Sequence, residues 1–381
     1  MTALTRRIVL AAALTGTFAV AGCASGGPAP AAPPAAAGTA ALATTLTTAA
    51  GATWAVVAMG SSASAENLFW ELFTRPAGSD RWELATPPGV ADNGGLVAAS
   101  GPASVTVAFR PSQGLTFSPL AVTSDAGKTW GTGLLDAPVA SVPDALAAGD
   151  GTTLALLGDG AIEQAGPAGA WSRLAAPGAI ASSVAGRRCH VTSLTAVAYA
   201  PSGTPLAAAS CTQPGIAGVF ALAGDTWQAG GPVLTGAFAA RQVTVLRLTG
   251  TTAGDVALLQ AGVSGAASLL AAWTSDGTHW TVSPPLAAGP GQVTASGTGP
   301  DGAAWVLLSG GRAYAISGPG GAWRRLPSPP QGTAALATGL GGTFEALAVT
   351  GGKLTVYRLS AAGAWQEIQA LTVPIQYGSS S

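Results

Sequence analysis

The chain has 381 residues, only 9% of them charged, and 16 Lys and Arg against 17 Asp and Glu leave a net charge of −1 at pH 7. That balance, with no basic run, argues against a nucleic-acid partner or a surface that adheres directly to anionic lipid. A hydrophobic share of 48% argues against disorder, and 54 glycines point to many tight turns rather than long helices.

The first element is an export signal over residues 1–22. Arg6 and Arg7 form its positive region, and "IVLAAALTGTFAVAG" (8–22) is an apolar stretch that ends in small residues. The stretch is short for a membrane span. "VAGC" (20–23) resembles the lipobox of bacterial lipoproteins. The resemblance implies cleavage before Cys23 and a lipid on its thiol, which would hold the mature chain on the outer, extracytoplasmic face of the cell membrane. "TRRIVL" (5–10) is also similar to a twin-arginine signal, although Val9 replaces the usual Phe and Ala11 the common Lys. An ordinary signal peptide is the alternative. Residues 23–43 are rich in Pro, Ala and Gly and read as an extended tether. No later segment offers 18 apolar residues without polar breaks, so no further span is expected.

Residues 44–377 repeat one pattern, and 378–381 form a polar tail. A Gly-rich bend running into a tryptophan recurs at Trp82, Trp130, Trp171, Trp227, Trp280, Trp323 and Trp365, at intervals of 41 to 56 residues. Alternating apolar runs flank each bend, the signature of a hairpin. Between successive Trp hairpins lies a second hairpin with its own turn, such as "GDGT" (149–152) or "PSGT" (201–204). Each unit therefore predicts four antiparallel strands, and this period matches propeller blades. The expected fold is all-β, a seven-bladed β-propeller with four strands per blade, with no helix beyond the signal peptide. Ring closure is left open: residues 372–381 extend the last outer strand, or residues 38–44 add to it.

"TSDAGKTW" (123–130) is similar, at every fixed position, to the Asp-box of Asp-box (BNR) repeat propellers, and "TSDGTHW" (274–280) is the same box one residue shorter. The other five units keep only the turn and the Trp. In that family the box is a structural turn between the third and fourth strands, remote from the active site. The resemblance thus implies structural roles for Thr123, Asp125, Gly127, Trp130, Asp276 and Trp280. Chemistry agrees: Asp125 can accept backbone N–H bonds across the bend, Gly127 can take positive φ, and Trp130 can pack between blades. One carboxylate is too few for calcium.

In an up-and-down propeller the Trp hairpins and Gly turns share one end, and the links between blades share the other with the loops between second and third strands. Loops of that second end are the expected place for a ligand. Its polar candidates are Glu66 and Asn67, Asp92 and Asn93, Arg110, then Arg187, Arg188 and His190, then Arg241, with Glu66, Asp92 and the four arginines as the expected ligand-binding set. The four arginines are the natural receptors for an anionic group, with solvated loop arginines as the plain alternative. Cys189 and Cys211 fall at the same end and are expected to pair outside the cytoplasm. Simple strand register would put Cys211 opposite Leu194, so the long link 176–191 has to fold back. The bond would pin that link, either as a preorganised binding element or merely as a stabilised loop.

Catalytic signals are sparse. "FRP" (109–111) is similar to part of the sialidase F-R-I-P motif, but the isoleucine and the remaining sialidase set are missing. His190 and His279 cannot build a multi-histidine metal site, and no nucleophile or phosphate motif occurs. No cofactor, metal or catalytic residue is expected. The leading reading is a non-enzymatic lipoprotein that binds or scaffolds an envelope protein, peptide or glycan. An atypical glycoside-processing enzyme using Glu66 and Asp92 is the alternative, and a purely structural envelope protein a third.

Overall fold

The computed structural model describes residues 43–47, 51–60, 68–87, 96–100, 105–109, 120–133, 143–149, 151–166, 171–262, 267–287, 292–299, 301–338 and 343–373. They belong to one compact unit, Ala40–Ser381. The expected export signal, Cys23, almost all of the tether and the polar tail lie outside the described residues.

Antiparallel pairing of consecutive strands divides the described strands into seven runs of four, here called meanders and numbered in chain order, with the two-residue strand Leu286–Ala287 added beside Ser268–Thr274 of the fifth. Their first, innermost strands are Ala43–Thr47, Leu96–Ser100, Ala145–Ala148, Val191–Tyr199, Val243–Thr251, Val293–Thr298 and Thr333–Thr338. Each lies beside the inner strands of its neighbours, and that of the seventh meander lies beside that of the first. The array therefore closes on itself, which is how a propeller protects its sheet edges.

Packing explains why the second strands read as unbroken apolar runs. In Thr53–Gly60, Trp54 and Val56 face a core shared with Val105 and Val107 of the second meander. Ala55, Val57 and Met59 face the other way, into a core shared with Leu347 and Leu354 of the seventh. The same split recurs in the fourth meander, where Leu206 and Ala208 pack toward the fifth, and Ala207 and Ala209 toward the third. A strand buried on both faces has no polar side to alternate with. Each fully buried Val or Leu contributes about 1.5–3 kcal/mol.

The recurrent tryptophans connect each meander to the one before it. Trp130 meets Trp54 edge to face, ring centroids 6.3 Å apart. The Trp280 indole N–H bonds the Gly230 carbonyl, and that of Trp365 the Pro327 carbonyl. Trp171, Trp227 and Trp323 share core clusters with Ala108, Leu154 and Leu258 of their respective predecessors. Trp82, in the first meander, reaches the seventh: its indole N–H donates to Glu345 Oε2 at 2.9 Å, and Gln369 brackets its backbone at 2.8 and 2.7 Å.

This seam between the first and seventh meanders carries a buried ionic cluster. Arg75 Nη1 lies 3.1 Å from Glu345 Oε2, and the two residues are 2% and 0% exposed. Arg75 Nη2 also donates to Thr53 Oγ1 and to the Thr338 carbonyl, both at 2.9 Å. Arg358 donates from Nε and Nη2 to Glu345 Oε1 at 3.1 and 2.8 Å. The Arg75 guanidinium sits 5.8 Å from the Trp82 ring centre. Charges buried like this persist only when paired and hydrogen-bonded.

Three expectations are corrected. Residues 43–47 form an innermost strand, paired with Thr53–Gly60 and, in parallel, with Val293–Thr298, so they do not add to the last outer strand. That last strand is Trp365–Thr372. The chain also has helices, Ala179–Ser182 and Val184–Cys189, inside the link expected to be irregular. Ser183 caps the second by accepting from Gly186 N at 3.0 Å. Gly186 is small enough to let the Ile180 carbonyl in, since a Cβ there would stand 1.9 Å from that oxygen. Finally, Cys211 lies opposite Val191, not Leu194: the register beside the turn points it toward Ser193, and bulges after Val191 and Leu194 carry it on to Val191.

Candidate functional site

Cys189 and Cys211 are joined as a disulfide, with Cα atoms 5.3 Å apart. The short helix delivers Cys189 at its C-terminal end, where His190 takes positive φ (54°) and turns the chain into the strand Val191–Tyr199. Gly218 makes room for the bond, since a Cβ on it would approach Cys211 Sγ to 2.6 Å. Beyond Cys211 the loop is fastened on both sides. Thr212 N and Gln213 N donate to the His190 and Cys189 carbonyls at 3.1 and 3.2 Å. Gly215 N donates to the Arg241 carbonyl at 2.8 Å, and Leu234 N donates back to the Gly215 carbonyl at 2.7 Å.

These bonds place the helix carrying Arg187 and Arg188, the loop 212–217 and Arg241 at one corner of the fourth meander. All three arginines are exposed. Arg187 donates to the Ser182 carbonyl, and among the described residues none of the three forms an ion pair. Arg110, Glu66 and Asp92 lie outside the described residues.

A fourth arginine, not singled out from the sequence, stands on the inner strand Val243–Thr251 that follows Arg241. Arg247 is half-buried, and its Nε donates to Ser296 Oγ of the sixth meander at 3.0 Å. Burial lowers its guanidinium to about 10. Thr195 of the neighbouring inner strand donates to the Val245 carbonyl at 2.6 Å. A bulge between Val245 and Arg247 resets the alternation and brings Arg247 to this position. The signal was there in "VTVLRLTG", where one arginine interrupts an apolar strand. A guanidinium carries five N–H donors in a fork that matches carboxylates and phosphates, so this wall and corner suit an anion.

The two Asp turns occupy the opposite end. Asp125 Oδ1 accepts from Thr123 Oγ1 and Thr129 N at 2.9 Å each, and Oδ2 from Thr129 Oγ1 at 2.5 Å. Those bonds to Thr129 hold the carboxyl down at about 2. Gly127 takes φ of 84°, and Ala126 adopts 62° beside it. Asp276 Oδ1 accepts from Thr278 N and His279 N, both at 2.8 Å, and Oδ2 lies 2.6 Å from His279 Nδ1. The His279 contacts keep its carboxyl well below the usual range. Every acceptor is thus occupied with closing the bend.

No protein-family model matches the chain, and no curated protein matches it. Solved structures do. A protein from Lactobacillus plantarum aligns with a TM-score of 0.54 at 10% identity, over 84% of this chain and 96% of its own. The periplasmic gluconolactonase PpgL of Pseudomonas aeruginosa aligns at 0.50 and 13% identity, over 84% and 95%. YCF48 from Cyanidioschyzon merolae aligns at 0.45 and 14% identity, over 84% and 97%. The fold is a β-propeller. At such identities the likeness speaks for the fold alone.

Proposed function

We propose that the protein is an extracytoplasmic binding module, an Asp-box propeller of seven blades that recognises an anionic group on an envelope protein, peptide or glycan without transforming it. In this reading residues 1–22 direct export, lipid on Cys23 anchors the chain at the outer face of the cell membrane, and residues 23–43 space the propeller from it. Seven tryptophans linking seven meanders, with Trp82 against Glu345 and Gln369, support the blade count. The observation that carries the binding role is the corner of Arg187, Arg188 and Arg241, fastened by the Cys189–Cys211 bond and lacking ion pairs among the described residues. A rigid mount lowers the ordering cost of binding, and unneutralised guanidiniums select carboxylate or phosphate.

The test is a crosslinked pull-down from intact cells, comparing wild type with the Arg110→Ala, Arg187→Ala, Arg188→Ala, Arg241→Ala variant. A partner captured by the wild type and lost by the variant supports the reading. Equal capture by both reduces the arginines to solvated loops. A Cys23→Ser variant tests the anchor separately and is expected in the soluble rather than the membrane fraction.

A further inference from the structure

At the end of the propeller opposite those arginines, a cavity of about 170 Å³ opens between the fifth and sixth meanders. Its lining includes Thr251, Asp255, Trp273 and His279 from the fifth, and Asp301 and Pro319 from the sixth. Asp255 is 5% exposed, and its Oδ1 is buried without a hydrogen-bond partner. Two neighbouring polar side chains are engaged elsewhere: Thr251 Oγ1 donates to the Gly254 carbonyl at 2.9 Å, and Asp301 Oδ1 accepts from Ala303 N at 3.1 Å. Trp273 donates its indole N–H to the Gly302 carbonyl at 2.7 Å, which braces the ring across the two meanders. At the rim, His279 is held by Asp276.

We infer that this cavity is a binding site for an alkylammonium group, with Asp255 as its acceptor and Trp273 as its aromatic wall. A buried carboxylate oxygen without a partner costs free energy that a donor carrying positive charge removes. An indole face adds attraction for the same cation. The volume is close to that of an engineered cavity of about 150 Å³ that accepts one benzene, which suits a short alkyl chain ending in an ammonium. A metal ion fits less well, since among the described residues no three His, Cys, Asp or Glu side chains gather to hold one. A guanidinium asks for a two-oxygen fork, whereas a single lone acceptor suits a point-like ammonium. Burial raises the Asp255 carboxyl to about 6, so it is mostly ionised at neutral pH and without a counter-charge. The ammonium can come from a free amine or from a lysine side chain of a peptide.

The experiment is calorimetric titration of the full chain at pH 7.5 with n-butylammonium, with an N-acetylated Ala-Lys-Ala peptide, and with n-butanol as the neutral isostere. Butylammonium is expected to bind, at least tenfold more weakly to Asp255→Asn, with n-butanol weaker than either. Binding of the peptide alone, still lost in Asp255→Asn, supports the site and assigns the ammonium to a lysine. The inference is overturned if neither cation binds the wild type, if Asp255→Asn binds as tightly, or if n-butanol binds as well as butylammonium. Thermal unfolding of Asp255→Asn confirms that any loss is not loss of fold.

Discussion

Substituting Glu345 with Gln isolates the ionic cluster at the ring seam. Glu345 is 0% exposed and accepts from Arg75, Arg358 and Trp82. The amide keeps the shape but leaves Arg75, 2% exposed, without a counter-charge. Burial already pulls the Arg75 guanidinium down, and Glu345 opposes that pull. Breaking a buried pair by removing one partner costs about 3–5 kcal/mol, against roughly 5–15 kcal/mol for a whole domain. Arg358 is 31% exposed and can return to water, so Arg358→Ala is expected to cost only about 1 kcal/mol. An Arg75→Met, Glu345→Leu double variant removes both charges and should be less damaging than Glu345→Gln alone. Urea unfolding of these three proteins and of the Arg75→Met and Glu345→Leu singles gives the numbers, and hydrogen exchange locates the effect in Phe344–Leu359. A Glu345→Gln cost below about 1 kcal/mol, or a double variant whose loss equals the sum of its singles, refutes this account of the seam.

Replacing both Cys189 and Cys211 with Ser opens a loop of sequence separation 22 and is expected to cost about 3 kcal/mol in urea unfolding; an unchanged midpoint would show that the bond constrains nothing. Asp255 gives a pH signature: its folded carboxyl sits near 6 against 3.8 ordinarily, so the folded state holds the proton more tightly and stability declines as pH rises between those values. Allowing for solvent reaching it through the cavity, Asp255→Asn should gain about 1–2 kcal/mol at pH 8 and almost nothing at pH 4; Asp276, His279 and Asp301 at the same rim are common to both proteins and cancel. A pH-independent difference would count against the buried, unpaired carboxylate. At the exposed turn, Asp125→Ala should speed amide exchange at Thr129 selectively. In the wild type, acid should lower the protection of the same amide relative to its intrinsic exchange rate, because a carboxyl held near 2 supports the turn above its ordinary 3.8 and gives it up as pH falls toward 2.

The repeat was legible because one residue type marks it. A tryptophan after a Gly-rich bend recurs through the chain, and each of these side chains turns out to link its meander to the preceding one. Both Asp turns were legible too, since their contacts span at most four residues. What escaped was either too short or too distant. Helices of four and six residues cannot display a 3.6-residue period. Two bulges in Val191–Tyr199 moved Cys211 to Val191 without any mark in the residue types. Arg75 and Glu345 are 270 residues apart, and neither sits in a motif. Asp255 resembled any turn residue in "TTAGDV", and only the neighbouring meander makes it the floor of a cavity. At the arginine end Arg187, Arg188 and Arg241 do share one corner, while Arg247 was passed over because a bulge, not simple alternation, sets where it lies.

The way the ring closes gives the seam its weight. Where a propeller shares one sheet between chain ends, backbone hydrogen bonds tie the first blade to the last. Here each meander is built from consecutive strands, and among the described residues no strand pairing joins the first meander to the seventh. The first meander's inner strand instead pairs in parallel with the sixth's, at Ala43 with Ala295 and Thr44 with Ser296. The seventh meander is thus held by its covalent link, by the apolar cores around Leu347 and Leu336, and by side chains converging on Glu345. The second and third meanders likewise form separate four-stranded sheets, but only the seventh holds the Glu345 cluster, and cooperative units with fewer ties open first, so the seventh meander should be the first to detach when Glu345 is neutralised. Opening confined to it would leave the disulfide corner of the fourth meander intact, so binding at that corner should survive Glu345→Gln at urea concentrations where the seventh meander already exchanges freely. Simultaneous loss of both would mean that the ring unfolds as one unit and that the seam is no weaker than any other interface.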